Sequence, residues 1–311
     1  MSIKEISRRI LPEGAFQSIR HARERLQRAR AASLPLLTER DFTEILVNDL
    51  RLTTSDTVYV HSSIDRLNLG FPFYRILPLI QQVIGPRGTV LFPTYPNHKT
   101  SSYEYLKQER VFDVRKTPSY TGILTEFARR QRGAVRSLHP TKSVCAIGPS
   151  ASELTSTHQL SPYPYDTCSP YHKLIEYDAK IVGLGVSTQY LSFVYCVDDA
   201  LKENFPVRVY HERIFEAQCI NYRGEVEVVR TYAHNMQRVI HDVPRYMKTY
   251  ISDEACRDLS LKGMKFFRAD ATRLFDSMLR LAQEGITVYP RSVYTKDFVT
   301  NRETSTATRS H

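Results

Sequence analysis

Long apolar runs are missing from this sequence. No stretch approaches the ~18 consecutive apolar residues that a membrane span requires, which excludes a transmembrane helix. The opening Met1-Ser-Ile-Lys-Glu-Ile-Ser-Arg-Arg9 has no apolar core behind its charges, so a secretory signal is not expected. Cysteine is sparse: Cys145, Cys168, Cys196, Cys219 and Cys256 are an odd, scattered set with no CxxC pair. That argues against a disulfide framework and a structural zinc. A reducing cytoplasm is expected instead, with each thiol acting as a small buried hydrophobe. Internal repeats are absent, and no metal site is expected.

What is present is a chain of 311 residues with 41% hydrophobic and 24% charged residues, ordinary for one large globular domain or two small ones. Lys and Arg total 43 against 33 Asp and Glu, a net charge of +10 that favours an anionic partner such as nucleic acid, acidic lipid or a phosphate-bearing small molecule. Residues 1–30 hold eight basic and three acidic residues, which supplies half of that surplus. The stretch lacks the interleaved aromatics of a single-strand binder, so a solvated helical face is the expected explanation and no nucleic-acid partner is expected.

The patterning predicts an N-terminal helical extension over 1–36, a principal domain over 37–299 and a disordered polar tail over 300–311. Thr38 reads as the N-cap of a helix through Phe42, Ile45, Leu46 and Leu50. A strand at Thr57–His61, a helix from Phe73 to Ile84 interrupted by Pro78, and a strand at Thr89–Phe92 have the spacing of a parallel βαβ unit. The 94–118 stretch is too long for a plain connection and is expected to be a functional loop. Further on come a helix over 122–131, a strand at 143–147, a short helix at 151–154, a proline-broken loop over 156–170, a strand at 180–185 and an apolar helix over 190–201. Strands near 207–220 and 225–232 and helices near 237–250 and 269–284 complete the reading. The fold class is α/β: a single three-layer αβα domain with a mostly parallel or mixed central sheet.

Four clusters could carry chemistry. Val60-His61-Ser62-Ser63 places hydrogen-bonding side chains and free N–H groups at a strand end, although a capping serine explains it equally well. Thr117-Pro-Ser-Tyr-Thr-Gly122 leads into a helix whose N–H groups could hold a phosphate or carboxylate, unless it is a simple cap. In Arg136-Ser-Leu-His139-Pro140 the flanking Arg136 and Lys142 disfavour the imidazolium, which suits a neutral base or hydrogen-bond donor; a structural histidine is the plainer reading. Tyr195 and Asp198 are three apart in the apolar helix and share a face, and a carboxylate there needs a partner or a task.

In their order and spacing these clusters resemble the aminoglycoside 3-N-acetyltransferase family, from about Val47 to Val229. The resemblance rests on His61-Ser-Ser63, Gly85-Pro-Arg-Gly-Thr89, Pro118-Ser-Tyr-Thr-Gly122, Arg136-Ser-Leu-His-Pro140, Gly148-Pro-Ser-Ala151, Ser169-Pro170 and Leu184-Gly185. It implies an enzyme that uses acetyl-CoA as co-substrate, without a metal, to acetylate a primary amine. By the same resemblance His61, Ser62, Ser63, Ser119, Tyr120, Thr121 and Gly122 would hold the pantetheine and pyrophosphate arms. A homodimer is open.

The chain departs from the family where its His-x-x-Glu pair becomes Tyr195-x-x-Asp198. Tyrosine, with an ordinary pKa of ~10, is a poor base but can donate a hydrogen bond to a thioester oxygen. The expected site therefore has Asp198 as base or orienting carboxylate, with Tyr195 and His139 as hydrogen-bonding partners. Aminoglycosides are polycations, whereas 94–118 and 136–173 hold more Lys, Arg and His than Asp and Glu. The expected acceptor is thus a neutral or anionic small-molecule amine, such as a nucleotide-linked amino sugar. Aminoglycoside inactivation and a catalytically inactive acyl-CoA-binding homologue are the alternatives.

Overall fold

The computed structural model describes Arg25, Leu26, Ala29 and residues 32–239 and 241–295. The extension expected over 1–36 lies almost wholly outside these residues, as does the tail at 300–311. Thr38 caps α1 (Glu39–Glu44) in a capping box with Asp41, and the helix then widens into a π-turn at Ile45–Asp49. β1 (Thr57–Ser62), α2 (Ile76–Ile84) and β2 (Thr89–Pro93) form the expected βαβ unit. Pro78 does not interrupt α2, because it sits in the first turn, where its missing N–H would have had no partner.

The long 94–118 segment contains α3 (Ser102–Leu106) and β3 (Phe112–Asp113). There follow α4 (Ile123–Arg129), β4 (Val135–Arg136), β5 (Val144–Ile147), α5 (Ala151–Thr155), α6 (Pro170–Glu176), β6 (Lys180–Leu184) and α7 (Tyr195–Leu201). The last part holds β7 (Phe215–Ile220), β8 (Val226–Thr231), α8 (Val243–Tyr250), β9 (Cys256–Leu261), β10 (Met264–Asp270) and α9 (Ala271–Gln283).

Seven strands make one mixed sheet in the order β4-β5-β2-β1-β6-β10-β9, and β3-β7-β8 make a smaller one. In the larger sheet only β2-β1-β6 is parallel, with Val58 beside Val90 and Val60 beside Val182; β3 and β7 of the smaller sheet also pair in parallel. β1 is buried on both faces, so its apolar run is nearly continuous, and successive residues serve opposite layers. Val58 and Val60 pack with Phe42, Leu46, Ile80 and Leu124 under α1, α2 and α4. Tyr59 packs on the other side with Tyr165, Tyr171, Phe193 and Leu274 under α6 to α9. The carboxyl ends of the three parallel strands converge at the centre of the sheet, where an α/β fold presents its binding crevice.

Candidate functional site

The end of β1 and the loop before α4 form one cradle. His61 pairs with Gly183 of β6, and the backbone beyond it runs Ser62, Ser63. Gly185 has φ 73°, and a Cβ there would lie 2.4 Å from the Ser63 carbonyl oxygen, so only glycine lets β6 turn away beside β1. Gly122, with φ 132°, brings the 119–122 loop to the same strand end: a Cβ built on it would lie 3.8 Å from the Ser62 carbonyl oxygen. Within the loop the Ser119 hydroxyl lies 2.9 Å from that of Thr121 and 3.1 Å from that of Thr125, while Glu126 accepts from the Ser119 N–H. Tyr120 is exposed, and its N–H donates to the Tyr95 carbonyl. Ser62 Oγ and His61 Nε2 are enclosed without a hydrogen-bond partner, whereas Ser63 Oγ donates to Asp65. Burial holds the His61 imidazole neutral, with its pKa pushed down to about 3.

The Arg136–Pro140 turn is a brace. Arg136 is buried and forms no ion pair among the described residues, and its guanidinium donates to the carbonyls of Thr94 and Thr117 and to the hydroxyls of Thr94 and Ser143. His139 is fully enclosed: Nδ1 accepts from the N–H groups of Thr141 and Lys142, and Nε2 lies 3.2 Å from Thr231 Oγ1. Burial, then His158 and Lys142, hold it neutral. Neutrality is as the sequence predicts; Nδ1 holds the turn itself together and Nε2 joins it to β8, and neither of these hydrogen bonds is to Tyr195.

Tyr195 and Asp198 do share a face of α7, yet each turns to a different partner. Asp198 is buried and accepts from the Tyr289 hydroxyl at 2.5 Å; burial, against that hydrogen bond, raises its pKa well above the ordinary carboxylate value. Tyr195 instead meets His241, Oη to Nε2 at 2.9 Å. The expected Tyr195–Asp198 pair is therefore replaced by Tyr195–His241, because the short aspartate side chain is drawn inward to Tyr289. The Gln189 amide lies 3.4 Å from His241 Nδ1, and burial lowers the pKa of His241. Beside this pair the His234 ring lies 4.7 Å from the Tyr195 ring and stacks at 4.6 Å on Tyr210.

An aromatic path joins this corner to the cradle. The Tyr165 ring lies 5.2 Å from Tyr195 and 4.5 Å from Tyr171, whose hydroxyl donates to the Tyr95 hydroxyl at 2.7 Å. Tyr95 in turn carries the Lys142 ammonium 4.9 Å above its ring. Reading the sequence singles out neither histidine of the corner, nor Tyr95 or Lys142 as members of it. Tyr95 follows β2 directly and Lys142 follows the His139-Pro140 motif, which are the signals that could have found them; His234 lies in a connection with no pattern of its own, and His241 falls in the stretch expected as helix from 237, ahead of the observed start at Val243.

Two clefts flank the site. One of about 550 Å³ is lined by Asp198, Tyr210, Lys202, Arg208 and Glu212, among others, so that Tyr210 is its wall and also the ring stacked on His234. The other, about 500 Å³, is lined by Arg115, Lys116, Arg129, Arg130 and Tyr222 beside the 119–122 loop. Among the described residues no group of three His, Cys, Asp or Glu could hold a metal, and no helix is long and apolar enough to cross a membrane.

Residues 59–283 match the family model for aminoglycoside 3-N-acetyltransferase. The chain is 28% identical over 151 residues to aminoglycoside N(3)-acetyltransferase IX of Micromonospora chalcea, covering 44% of this chain and 53% of that protein. To aminoglycoside N(3)-acetyltransferase VII of Streptomyces paromomycinus it is 27% identical over 199 residues, covering 57% and 66%. The matched sequence thus spans between half and two thirds of the length of these curated relatives. Among solved structures, aminoglycoside acetyltransferase AAC(3)-Xa superposes with a TM-score of 0.69 at 19% identity over 86% of this chain and 99% of that one. AAC-IIIb, solved with CoASH, gives 0.66 at 19% over 82% and 100%. These structural likenesses speak to the fold. With the family model matching well over half of its length, the chain belongs to the aminoglycoside 3-N-acetyltransferase family.

Proposed function

We propose that this protein transfers the acetyl group of acetyl-CoA to a primary amine of an amino sugar, with the Tyr195–His241 pair moving the proton. The observation that carries the proposal is the 2.9 Å contact between Tyr195 Oη and His241 Nε2, where the family's histidine has given way to tyrosine. AAC-IIIb is described with CoASH, and the cradle of this chain has the features such a ligand needs. Ser62 Oγ and His61 Nε2 are enclosed polar atoms awaiting a partner, the 119–122 loop is rich in hydroxyls, and the cleft of Arg115, Lys116, Arg129 and Arg130 suits a phosphate-bearing end.

Bound acetyl-CoA would supply an activated thioester carbonyl. An ammonium cannot attack it, so the amine must first lose a proton. His241 is kept neutral by burial and can accept one. In this scheme the ammonium's proton is first lost to solvent; as the neutral amine attacks, the Tyr195 hydroxyl hands its proton to His241 Nε2 while taking the one the acylated nitrogen sheds, leaving the net proton on the imidazole. That proton then goes to the departing thiolate, so the site returns to its starting state. Asp198, buried and accepting from the Tyr289 hydroxyl, acts as an anchor for Tyr289 and α7 rather than as the base.

The names of the relatives favour aminoglycosides as one acceptor class. The test is thiol release from acetyl-CoA with amino sugars, nucleotide-linked amino sugars and gentamicin-type aminoglycosides, using the wild type and His241→Asn. Amine-dependent release that falls ~100-fold in His241→Asn supports the mechanism. Absence of release with every amine would sink the function, and full activity in His241→Asn would sink the mechanism alone.

A further inference from the structure

Asp199 is a fully buried carboxyl group for which the reaction above has no use. It lies one turn beyond Tyr195 on α7, so the two share a face of the helix. Among the described residues it forms no ion pair, and a carboxyl group enclosed in that way needs donors for its oxygens. It has two of them. Oδ2 accepts from the Tyr165 N–H and Oδ1 from the Tyr210 hydroxyl, each at 2.7 Å. Both partners lead back to Tyr195: the Tyr165 ring lies 5.2 Å from the Tyr195 ring, while Tyr210 stacks on His234, whose ring is 4.7 Å from Tyr195. Both also serve the cleft of about 550 Å³, which Tyr210 lines directly and to which the loop holding Tyr165 contributes Tyr163. Pro162 and Pro164 give that loop no N–H to donate, so the Tyr165 N–H is one of few by which it can be fastened. Tyr232 completes the aromatic side of the cleft, its ring 4.9 Å from Tyr163 and 5.6 Å from Tyr210.

We propose that Asp199 is a positioning residue for the acceptor: through Tyr210 and Tyr165 it fixes the aromatic wall that stands between this cleft and Tyr195. The inference rests on the acetyltransferase reading above and adds to it the residue that aligns the amine with the reacting pair. A sugar lying against Tyr163, Tyr210 and Tyr232 meets rings that are apolar in body and polar at one end, and its amine is placed only as well as those rings are held. The role asks for hydrogen-bond geometry and not for a transferred proton. An amide at this position can accept from the Tyr165 N–H and donate to the Tyr210 oxygen, so it should serve nearly as well.

The experiment measures kcat and both KM values by thiol release from acetyl-CoA, with glucosamine, UDP-glucosamine and gentamicin as acceptors, in the wild type, Tyr210→Phe, Asp199→Asn, Asp199→Ala and the double variant Asp199→Ala/Tyr210→Phe. Tyr210→Phe should raise the acceptor KM ~10-fold, with kcat within about threefold and the acetyl-CoA KM within about twofold. Asp199→Asn should keep the acceptor KM within about threefold of wild type. Asp199→Ala should raise it at least as far as Tyr210→Phe does, and the double variant should be no worse than the poorer single one, because both act through one hydrogen bond. Tyr210→Phe removes one hydroxyl and keeps the ring, so it decides the matter even where Asp199→Ala does not fold. A Tyr210→Phe protein that melts lower but keeps its acceptor KM would overturn the proposal, leaving Asp199 a brace of the fold alone. So would losses that multiply in the double variant, or an Asp199→Asn as impaired as Asp199→Ala; in each case the acetyltransferase stands. No thiol release by the wild type with any acceptor would overturn both.

Discussion

The cradle at the end of β1 and the corner around Tyr195 lie on one sheet, but they hold their residues in opposite ways. In the cradle the family's letters persist, and the work is done by backbone: Gly185 and Gly122 set the close approach of two segments, and Ser119, Thr121 and Thr125 bond to one another. In the corner the letters have changed, and the work falls to side chains brought from three distant segments: Lys142, Tyr195, and the connection that carries His234 and His241. Backbone geometry tolerates few substitutions, whereas a proton acceptor can be supplied from another element if its position is kept. A motif is therefore a safer guide to where a ligand lies than to which group does the chemistry.

That contrast can be broken at several points. The largest effect should come from acid. His61 and His158 are buried with pKa values of about 3, and His139 and His234 are lowered too, all chiefly by burial. Their folded values lie below the unfolded ~6.5, so the unfolded chain binds more protons, and the stability they contribute is present above pH ~6.5 and lost as pH falls towards 3. Thermal melts should decline from near pH 6.5, on the order of a few kcal/mol by pH 4; a flat profile down to the carboxylate range would contradict it.

Next is Arg136→Leu, which leaves the Thr117 carbonyl without its donor and the Thr94 carbonyl with the Ser143 hydroxyl alone, and should cost roughly 3 kcal/mol in urea unfolding. A neutral result there would show that the brace is dispensable. Tyr195→Phe should lower kcat ~100-fold while leaving acetyl-CoA binding by calorimetry within about twofold, separating corner from cradle. The smallest effect belongs to Asp198→Asn. Because the carboxyl is buried and bonded to Tyr289, an amide that still accepts should reduce kcat by less than about fivefold; a drop as large as that of Tyr195→Phe would return the role of base to Asp198.

Much of the fold is legible in the sequence because its signals are local. The capping box at Thr38, the β-branched run of β1 and the Gly85–Gly88 turn lead to the elements they announce. The β9–β10 hairpin is not legible: Arg257, Asp258 and Ser260 dilute an edge strand whose pairing partner, not its own pattern, makes it extended. The expected strand from 207 begins only at Phe215, and the helix expected from 237 begins at Val243, behind the Asp242 cap. In the site, glycines and hydroxyls mark the cradle, but the Tyr195–His241 contact joins residues 46 apart and leaves no periodic trace.

The central position of β1 has a consequence for synthesis. It pairs on one side with β2, made soon after it, and on the other with β6, which starts about 120 residues later. At about 5–20 residues per second, the second edge of β1 would stay open for roughly 6 to 24 s during translation. A nascent chain stalled before Lys180 therefore presents an apolar strand edge to the cell, and the ribosome's pace over the intervening segments sets how long chaperones have to cover it.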